Sequence, residues 1–354
     1  MRGLVLAGPG RVEMHDDLPD PGIAAPGDAV VRVRLAGVCG SDLHPYEGRE
    51  PAAPGIVPGH EAAGEVVEVG AAVGRYRPGD RVFLPFSTSC GRCGPCRRGL
   101  SARCEAGRLF GWAPPDDPDA GLAGTQAEYV RVPHADATLL HLPEGRTDVE
   151  GVLLGDNFTT GYWAATRALG DAPPRASVGV VLGCGAVGLS AIAALRHLNG
   201  AQVLAVDPVE ARRTAAGRLG AVAAAEPSAA EEALAGLDGS TGAAFVVEAV
   251  GSRQARLLAV RLVASGATVS SVGVATDEFG VRPSDLYDRN LTWRSGRCPV
   301  RSLMDRVLRD LEEGLEIPVA VLAPGPPVPL EEGPLVYRRF AAREGTGGKP
   351  LLAP

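Results

Sequence analysis

The segment SVGVVLGCGAVGLSAIAAL places a run of valines directly before three closely spaced glycines and an apolar, alanine-containing stretch. Gly183, Gly185 and Gly188 have the spacing Gly-x-Gly-x-x-Gly, and the next valine-rich run, AQVLAVD, ends in Asp207, nineteen residues beyond the last glycine. A strand, a glycine turn and a helix in this order are typical of the phosphate-binding turn of a parallel βαβ fold. The segment therefore predicts a doubly wound parallel sheet that binds a dinucleotide.

The residues around this turn also bear on which dinucleotide is bound. The glycines permit close approach of a pyrophosphate, and the N-terminus of the following helix attracts its phosphates. Asp207 is suited to accept hydrogen bonds from an adenosine ribose and to repel a 2′-phosphate, which favours NAD over NADP. The alternative interpretation of Asp207 is a strand-end residue in the turn before Pro208. Arg212 and Arg213 lie close enough in sequence to leave NADP open.

The pattern of apolar and polar residues divides the chain into two regions. From residue 1 to about 150, short alternating runs such as AVVRVRLAGV and AAGEVVEVG are separated by turn sequences such as RPGD, which is typical of an antiparallel β domain. From about residue 149, valine-rich runs alternate with helical stretches, which is typical of βαβ units. This alternation of strands and helices ends near Asn290. The remaining C-terminal tail is predicted to form one helix and one or two strands, and it could pack back on the first domain.

Length and charge limit the classes of partner. The 354 residues accommodate two domains with cores of their own. The net charge of -7, without a run of Lys or Arg, argues against nucleic acid and against a membrane surface. A small-molecule partner is therefore expected. The N-terminal apolar run is too short for a signal peptide, so a cytoplasmic location is expected. A single lysine, Lys349, stands against thirty-four arginines, which is ascribed to coding bias.

Four of the seven cysteines lie within fifteen residues, in the segment CGRCGPCRRGLSARC. These four are Cys90, Cys93, Cys96 and Cys104. Cys-x-x-Cys turns allow two sulfurs to converge on one ion, and four thiolates close a tetrahedral zinc site without an open position. The spacing predicts a structural zinc that stabilises a small lobe. Unligated thiols in such an exposed segment would be easily oxidised, and a nucleic-acid zinc knuckle is disfavoured by the acidic charge balance.

Two further segments carry reactive side chains. GVCGSDLH brings a thiol, a hydroxyl, a carboxylate and an imidazole within six residues, and PGHEAAGEV adds a second imidazole and a second carboxylate. In order, these residues are Cys39, Ser41, Asp42, His44, His60 and Glu61. A nucleophilic cysteine, a metal site with a proton relay and an ordinary turn are the three interpretations of the first segment. A catalytic zinc takes three protein ligands, so a third ligand is needed beside Cys39 and His60.

Together with LGDNFTTGYWAA, these motifs resemble the zinc-dependent medium-chain dehydrogenase/reductase family of alcohol dehydrogenases over nearly the whole chain. The resemblance implies a GroES-like, β-rich catalytic domain in two segments and a Rossmann domain, with the active site between them. The implied segments are 1–155, 156–290 and 291–354, with a structural-zinc lobe at about 88–106. The segments RCPVRSLMD and GTQAEYVRVPHAD resemble the formaldehyde-dehydrogenase-like subgroup.

The resemblance also implies a metal site. Cys39 and His60 fall on ligands of the catalytic zinc, and Asp156 falls where many members have the third ligand. Asp42 falls on a carboxylate that orients the histidine ligand, and Glu61 on the acidic neighbour that can approach the zinc. A helix N-cap is the structural alternative for Asp156.

A proton relay and cofactor contacts are implied as well. Ser41 falls on the hydroxyl that contacts the substrate oxygen, with a helix N-cap as its structural alternative, and His44 on the outer end of the relay. The implied cofactor contacts beyond the three glycines and Asp207 are Ala186, Val187, Val250, Gly251, Val272 and Gly273.

The implied activity is hydride transfer between an alcohol, or the corresponding aldehyde or ketone, and NAD(H). One catalytic and one structural zinc per chain and a homodimer or homotetramer are expected. Two alternatives stay open. One is an aldehyde dismutase that retains its nicotinamide through the cycle, and the other is a non-catalytic protein that binds zinc and a nucleotide.

Overall fold

The computed structural model describes residues 1–170, 175–238, 242–275, 277–344 and 348–354. The strands are β1 Gly3–Gly8, β2 Arg11–His15, β3 Ala29–Gly37, β4 Ala62–Val69, β5 Arg81–Leu84, β6 Tyr129–Val132, β7 Leu140–His141, β8 Val178–Leu182, β9 Gln202–Val206, β10 Ala223–Ala225, β11 Ala243–Glu248, β12 Val263–Ser271, β13 Thr292–Ser295, β14 Val328–Pro329 and β15 Leu351–Ala353. The helices are α1 Leu43–Tyr46, α2 Gly94–Arg97, α3 Ala135–Thr138, α4 Asp148–Gly155, α5 Asn157–Ala168, α6 Ala186–Asn199, α7 Glu210–Arg218, α8 Ala230–Asp238, α9 Arg253–Leu262, α10 Pro283–Tyr287, α11 Val300–Glu312, α12 Val319–Leu322 and α13 Gly333–Ala341.

The N-terminal region forms an antiparallel sheet around β3. This strand alternates buried apolar residues with the exposed Arg32 and Arg34 in its middle, because successive side chains point to opposite faces. It pairs antiparallel with both β4 and β6, and β4 pairs with β5. The predicted antiparallel β region is therefore confirmed.

The C-terminal tail returns to this sheet. In β15, Leu351 and Leu352 lie opposite Gly37 and Ala36 of β3, and the pairing is antiparallel. The sheet order is β14-β15-β3-β4-β5-β7. The last residues of the chain therefore lie beside the segment that directly follows β3.

The middle region forms a six-stranded parallel sheet in the order β10-β9-β8-β11-β12-β13. This is the strand order 3-2-1-4-5-6 of a Rossmann fold, so the predicted fold class is confirmed. The sheet extends beyond Asn290, where the pattern predicted its end, because β13 pairs in parallel with β12. The tail also contains α11, α12 and α13, where one helix was predicted. The sequence TWRS of β13 lacks the apolar run of a buried parallel strand, so pattern alone missed it.

One hydrophobic cluster joins the two sheets through α4 and α5. It includes Leu35 and Phe83 from the antiparallel sheet, Phe158 of α5, and Val181 and Phe245 from the parallel sheet. Asp156 lies between α4 and α5, at the point where the chain passes from one region to the other. In the part of the chain that the structure describes, every helix is too short or too polar to span a bilayer.

Candidate active site

Four potential ligands converge where the antiparallel sheet meets the helix pair α4 and α5. Cys39 follows β3, whereas His60 and Glu61 directly precede β4. Because β3 and β4 pair antiparallel, the end of one lies beside the start of the other. Asp156 arrives from the junction of the helices, and ligand atoms of all four residues lie within 4.8 Å of one another.

The donor set fits a zinc ion. Cys39 Sγ and His60 Nε2 each lie 3.6 Å from Asp156 Oδ2. Thiolate sulfur, imidazole nitrogen and carboxylate oxygen are the ligand types that zinc takes in proteins. Burial raises the pKa of Asp156, but His60, Glu61 and Lys349 together lower it more, so the pKa lies well below its usual range. The carboxylate is therefore ionised in the cluster, as a metal ligand must be.

Asp42 fixes the orientation of His60. Its Oδ1 lies 3.1 Å from His60 Nδ1, and its Oδ2 accepts a hydrogen bond of 2.8 Å from the backbone N–H of Cys39. With Nδ1 occupied by this contact, His60 presents Nε2 to the cluster. One carboxylate thus orients two of the potential ligands, which is the common arrangement behind a metal-binding histidine.

The side chain of Asp156 does not act as a helix cap. It makes no capping hydrogen bond to the start of α5, so the structure does not support the N-cap alternative. Instead, Asn157 Nδ2 donates to Oδ2 at 2.7 Å and Thr160 Oγ1 donates to Oδ1 at 3.1 Å. Asn157 and Thr160 were missed by sequence reasoning, although both follow Asp156 in the segment DNFTT.

Ser41 and His44 lie on the same short turn at the edge of the cluster. Ser41 Oγ lies 3.3 Å from His60 Nε2, and the residue preceding α1 is Asp42, so Ser41 is not the cap of that helix. His44 is buried, and among the described residues its Nδ1 has no hydrogen-bond partner. Burial and Arg49 lower the pKa of His44, so its imidazole is neutral at pH 7 and able to accept a proton. No hydrogen bond between the side chains of Ser41 and His44 joins them directly in the described ranges.

The four cysteines of the predicted structural site also converge, and their sulfurs lie within 4.8 Å of one another. Cys93 Sγ is 3.9 Å from Cys104 Sγ, and Cys104 Sγ accepts a hydrogen bond of 3.2 Å from the backbone N–H of Cys90. Helix α2 between them buries none of its residues. The set fits a closed four-sulfur zinc site in a segment with little hydrophobic core.

The glycine turn has the geometry that a pyrophosphate requires. Gly183 has φ +88°, and a Cβ on Gly188 would lie 1.7 Å from the carbonyl oxygen of Gly183. A Cβ on Gly185, by contrast, would meet no atom within 4 Å, and α6 begins at the next residue, Ala186, followed by Val187. The turn therefore leaves open space in front of a helix N-terminus, where phosphate groups bind favourably.

Asp207 lies at the end of β9 and contacts this turn. Its two carboxylate oxygens accept hydrogen bonds of 2.8 Å from the backbone N–H groups of Cys184 and Val209. Arg212 Nη1 is 3.8 Å from Asp207 Oδ2, and Arg213 donates to the Asp207 carbonyl. Asp207 therefore lies at the edge of the glycine turn and also stabilises it through these hydrogen bonds.

Comparison with known proteins identifies the family of the chain. Residues 25–144 match the alcohol dehydrogenase GroES-like domain, and residues 186–313 match the zinc-binding dehydrogenase domain. Zinc-type alcohol dehydrogenase B of Aspergillus flavus is 41% identical over 323 residues, which cover 88% of this chain and 73% of that protein. This chain belongs to the zinc-binding alcohol dehydrogenase family.

Solved structures of the family agree. An alcohol dehydrogenase from Thermus sp. ATN1 has a TM-score of 0.90 at 34% identity, and the match covers 100% of this chain and 99% of that one. A structure titled NAD-dependent alcohol dehydrogenase has a TM-score of 0.81 at 26% identity, with both chains fully covered. The predicted family and its GroES-like and Rossmann folds are confirmed, whereas the formaldehyde-dehydrogenase-like subgroup stays a prediction.

Sequence reasoning gave no functional role to two buried charged residues of this dehydrogenase. The first is Glu248, at the end of β11. Its Oε1 accepts hydrogen bonds of 2.7 Å from the backbone N–H groups of Val250 and Gly251. Its carbonyl accepts from Val272 and Gly273, at 2.9 and 3.2 Å. The predicted cofactor contacts after β11 and β12 are therefore brought together around one residue, Glu248, through its carboxylate and its backbone carbonyl. An acidic residue ending the apolar run AAFVV was the available signal.

The second is Lys349, whose ammonium forms an ion pair with Glu61. Both side chains are almost completely buried, at 1% and 0% exposed. Burial lowers the pKa of Lys349, but Glu61, Cys39 and Asp156 raise it more, so the pKa is raised above its ordinary value and the amine is charged. The available signal was that this is the only lysine of the chain, which sequence reasoning ascribed to coding bias.

Proposed function

We propose that this dehydrogenase transfers hydride between an alcohol, or the corresponding carbonyl compound, and NAD(H). One observation carries the proposal. The three ligand types of a catalytic zinc converge within 4.8 Å, with the Ser41 hydroxyl at their edge. The open glycine turn of a Rossmann fold in the same chain supports a dinucleotide as the hydride acceptor.

Cys39, His60 and Asp156 would hold the catalytic zinc. A zinc ion supplies Lewis acidity, which lowers the pKa of an alcohol. Ser41 is placed to accept the hydroxyl proton of a substrate beside the cluster. The neutral imidazole of His44, on the same short turn as Ser41, is suited to take up a proton, and the ribose of a bound cofactor would supply hydroxyl groups for a relay between the two side chains. Asp42 keeps His60 Nε2 directed at the cluster throughout.

The proposal includes a second zinc site, the domain organisation and the oligomeric state of the chain. The four cysteines Cys90, Cys93, Cys96 and Cys104, here called the cysteine quartet, would hold a second, structural zinc. The chain would then hold two zinc ions. The pairing of β15 with β3 supports a catalytic domain built from segments 1–155 and 291–354 on either side of a Rossmann segment. Strand β13, which begins just beyond residue 290, forms the edge of the parallel Rossmann sheet. A homodimer or homotetramer stays a prediction.

The test is a substrate screen with primary, secondary and polyol alcohols, with absorbance of NADH as the readout and metal content measured on the same sample. We expect NAD-dependent oxidation of at least one alcohol class and two zinc ions per chain. Copurified NAD with aldehyde turnover in the absence of added cofactor would instead identify the dismutase. Zinc without any turnover in either assay would leave the non-catalytic alternative.

A cofactor prediction follows from Asp207. Asp207→Ala should narrow the preference for NAD over NADP by about 1–3 kcal/mol, since a charged hydrogen-bond acceptor for the ribose is lost. Affinity for both cofactors should also fall, because Cys184 and Val209 lose their acceptor. Fluorescence titration with NADH and NADPH measures both effects, and Glu226→Ala, which changes an exposed acid beside Arg213, is the control. Equal affinity of the parent protein for both cofactors would contradict the prediction.

A further inference from the structure

Arg256 of α9 is a buried arginine, and only 2% of its side chain is exposed. Its guanidinium donates hydrogen bonds to the carbonyl of Gly251 at 2.5 Å and to the carbonyl of Phe279 at 3.0 Å. It also donates to the Asp277 carboxylate and to the carbonyl of Glu278. Gly251 follows β11, whereas the other three acceptors follow β12. The side chain therefore joins the turn after β11 to the segment beyond β12.

The turns that follow β11 and β12 are in direct backbone contact. A Cβ on Gly251, which has φ +85°, would lie 2.2 Å from the carbonyl oxygen of Val274, and a Cβ on Gly273 would lie 2.1 Å from the backbone nitrogen of Gly251. The N–H of Gly251 donates to Glu248, and its carbonyl accepts from Arg256. Gly251 is thus held from both sides, and a shift of one turn would displace the other.

These two turns border the crevice of the Rossmann sheet. The strand order reverses between β8 and β11, and ligands of such sheets bind beyond the carboxyl ends of the strands at the point of reversal. Val250 lies against the glycine turn, because a Cβ on Gly183 would lie 2.7 Å from its Cγ2. The apolar side chains of Val250 and Val274 are 48% and 50% exposed. Apolar side chains exposed at a crevice are typical of the lining of a small-molecule site.

The position of the turns in the sheet indicates which part of a dinucleotide they would border. A Rossmann sheet consists of two halves that each bind a mononucleotide. Asp207, the candidate contact of the adenosine ribose, ends β9 in the half formed by β8, β9 and β10. The turns that Arg256 joins belong to the half formed by β11, β12 and β13. The nicotinamide half of NAD(H) would therefore lie beside them.

We propose that Arg256 is a positioning residue that holds the turns after β11 and β12 in the arrangement that the nicotinamide half of the cofactor requires. This role rests on the proposed function, because it concerns the same cofactor. Since Arg256 is buried, it acts through Gly251 and the segment beyond β12 and does not itself touch the cofactor.

The chemistry of the acceptors explains why an arginine occupies this position. A guanidinium has five N–H donors in a rigid planar fork, whereas a lysine ammonium is a compact point charge with three donors. Arg256 meets three backbone carbonyls and the carboxylate of Asp277, and a buried cation needs such partners. The second oxygen of Asp277 accepts a hydrogen bond of 2.7 Å from the backbone N–H of Arg253. Asp277 therefore ties the segment beyond β12 to the first turn of α9 as well.

The test compares the affinity for NADH, which would occupy both halves of the site, with the affinity for ADP, which lacks the nicotinamide half. Isothermal titration calorimetry measures both. Arg256→Met should weaken NADH binding by at least about tenfold, or about 1.4 kcal/mol, because the two turns lose their common donor. The affinity for ADP should stay close to that of the parent, because the adenosine half of the sheet is not altered.

Arg289→Met is the matched control. Arg289 also donates to two backbone carbonyls, those of Val260 and Val263, but these lie near the end of α9 and at the start of β12. Its loss should destabilise the same helix and strand without moving the turns at the carboxyl ends. We expect a lower unfolding temperature in both variants and weaker NADH binding only in Arg256→Met.

A second variant does not depend on the folding of Arg256→Met. The side chain of Asp277 is 42% exposed, so Asp277→Asn should fold like the parent. The amide keeps an oxygen for the N–H of Arg253 but removes the charge opposite Arg256. We expect weaker NADH binding, by less than in Arg256→Met, and unchanged ADP binding. If Arg256→Met yields no folded protein, Asp277→Asn decides alone.

The outcomes separate the two proposals. A parent protein that binds neither NADH nor ADP would overturn the proposed function together with this role. A parent that binds both, with folded Arg256→Met and Asp277→Asn variants of unchanged NADH affinity, would overturn the role of Arg256 alone. So would an equal loss of NADH and ADP affinity in Arg256→Met, or the same loss of NADH affinity in Arg289→Met.

Discussion

Asp156→Ala is expected to lose the metal of the catalytic cluster and nearly all hydride transfer. Asp156 Oδ2 lies 3.6 Å from both Cys39 Sγ and His60 Nε2, so its removal leaves two of three ligands. We expect the zinc content to fall from two ions to one per chain and turnover to fall by more than about 100-fold, or about 2.7 kcal/mol in barrier. Metal analysis and the rate of NADH formation measure the two effects.

Two further variants make this result specific. Asp156→Cys replaces one anionic ligand by another and should keep the metal and part of the activity. Thr160→Val removes the hydrogen bond to Asp156 Oδ1 but leaves the carboxylate, so both zinc ions should remain. Two zinc ions in Asp156→Ala, with turnover within about tenfold of the parent, would show that Asp156 is not a ligand.

Cys93→Ser is expected to release the structural zinc and to destabilise the lobe around α2. None of the residues of α2 is buried, so the metal replaces the hydrophobic core that this segment lacks. A ligand present at about a thousand times its dissociation constant contributes about 4 kcal/mol to the free energy of unfolding, and we expect a loss of this order. Thermal unfolding with and without a chelator measures it.

The catalytic cluster should keep its metal in this variant, because its ligands belong to other elements. Arg97→Ser, which changes an exposed residue of the same short helix, is the control and should unfold like the parent protein. A Cys93→Ser protein that unfolds at the parent temperature and retains two zinc ions would contradict the assignment of the quartet.

Features that depend on neighbours in the chain were predictable. The glycine turn is an example, because Gly188 must approach Gly183 across five residues and no other side chain fits there. The cysteine quartet is another, since its spacing alone brings sulfurs together in short turns. The glycine turn and the converging cysteines lie where the sequence predicts them, and the zinc that the cysteines would hold stays a proposal.

Features that depend on a distant partner were not predictable. Ala223–Ala225 lies in an alanine-rich stretch without the pattern of a strand, yet it forms the edge strand β10 because it pairs in parallel with Leu204–Val206 of β9. Asp156 was placed among the ligands only by resemblance to a family, since an aspartate before a helix is more often a cap. Its hydrogen bonds to Asn157 and Thr160, rather than to backbone N–H groups, became visible only in three dimensions.

The sequence by itself determined the antiparallel and parallel β regions, the convergence of the four cysteines and the glycine turn, because each follows from spacing or periodicity within a few residues. Only the tertiary structure decided that Lys349 meets Glu61, 288 positions away, and that Glu248 gathers the loops after β11 and β12. The physical reason is the same in both cases. A buried charge is tolerated only beside its partner, and the partner is chosen by how strands from distant parts of the chain come together in a sheet.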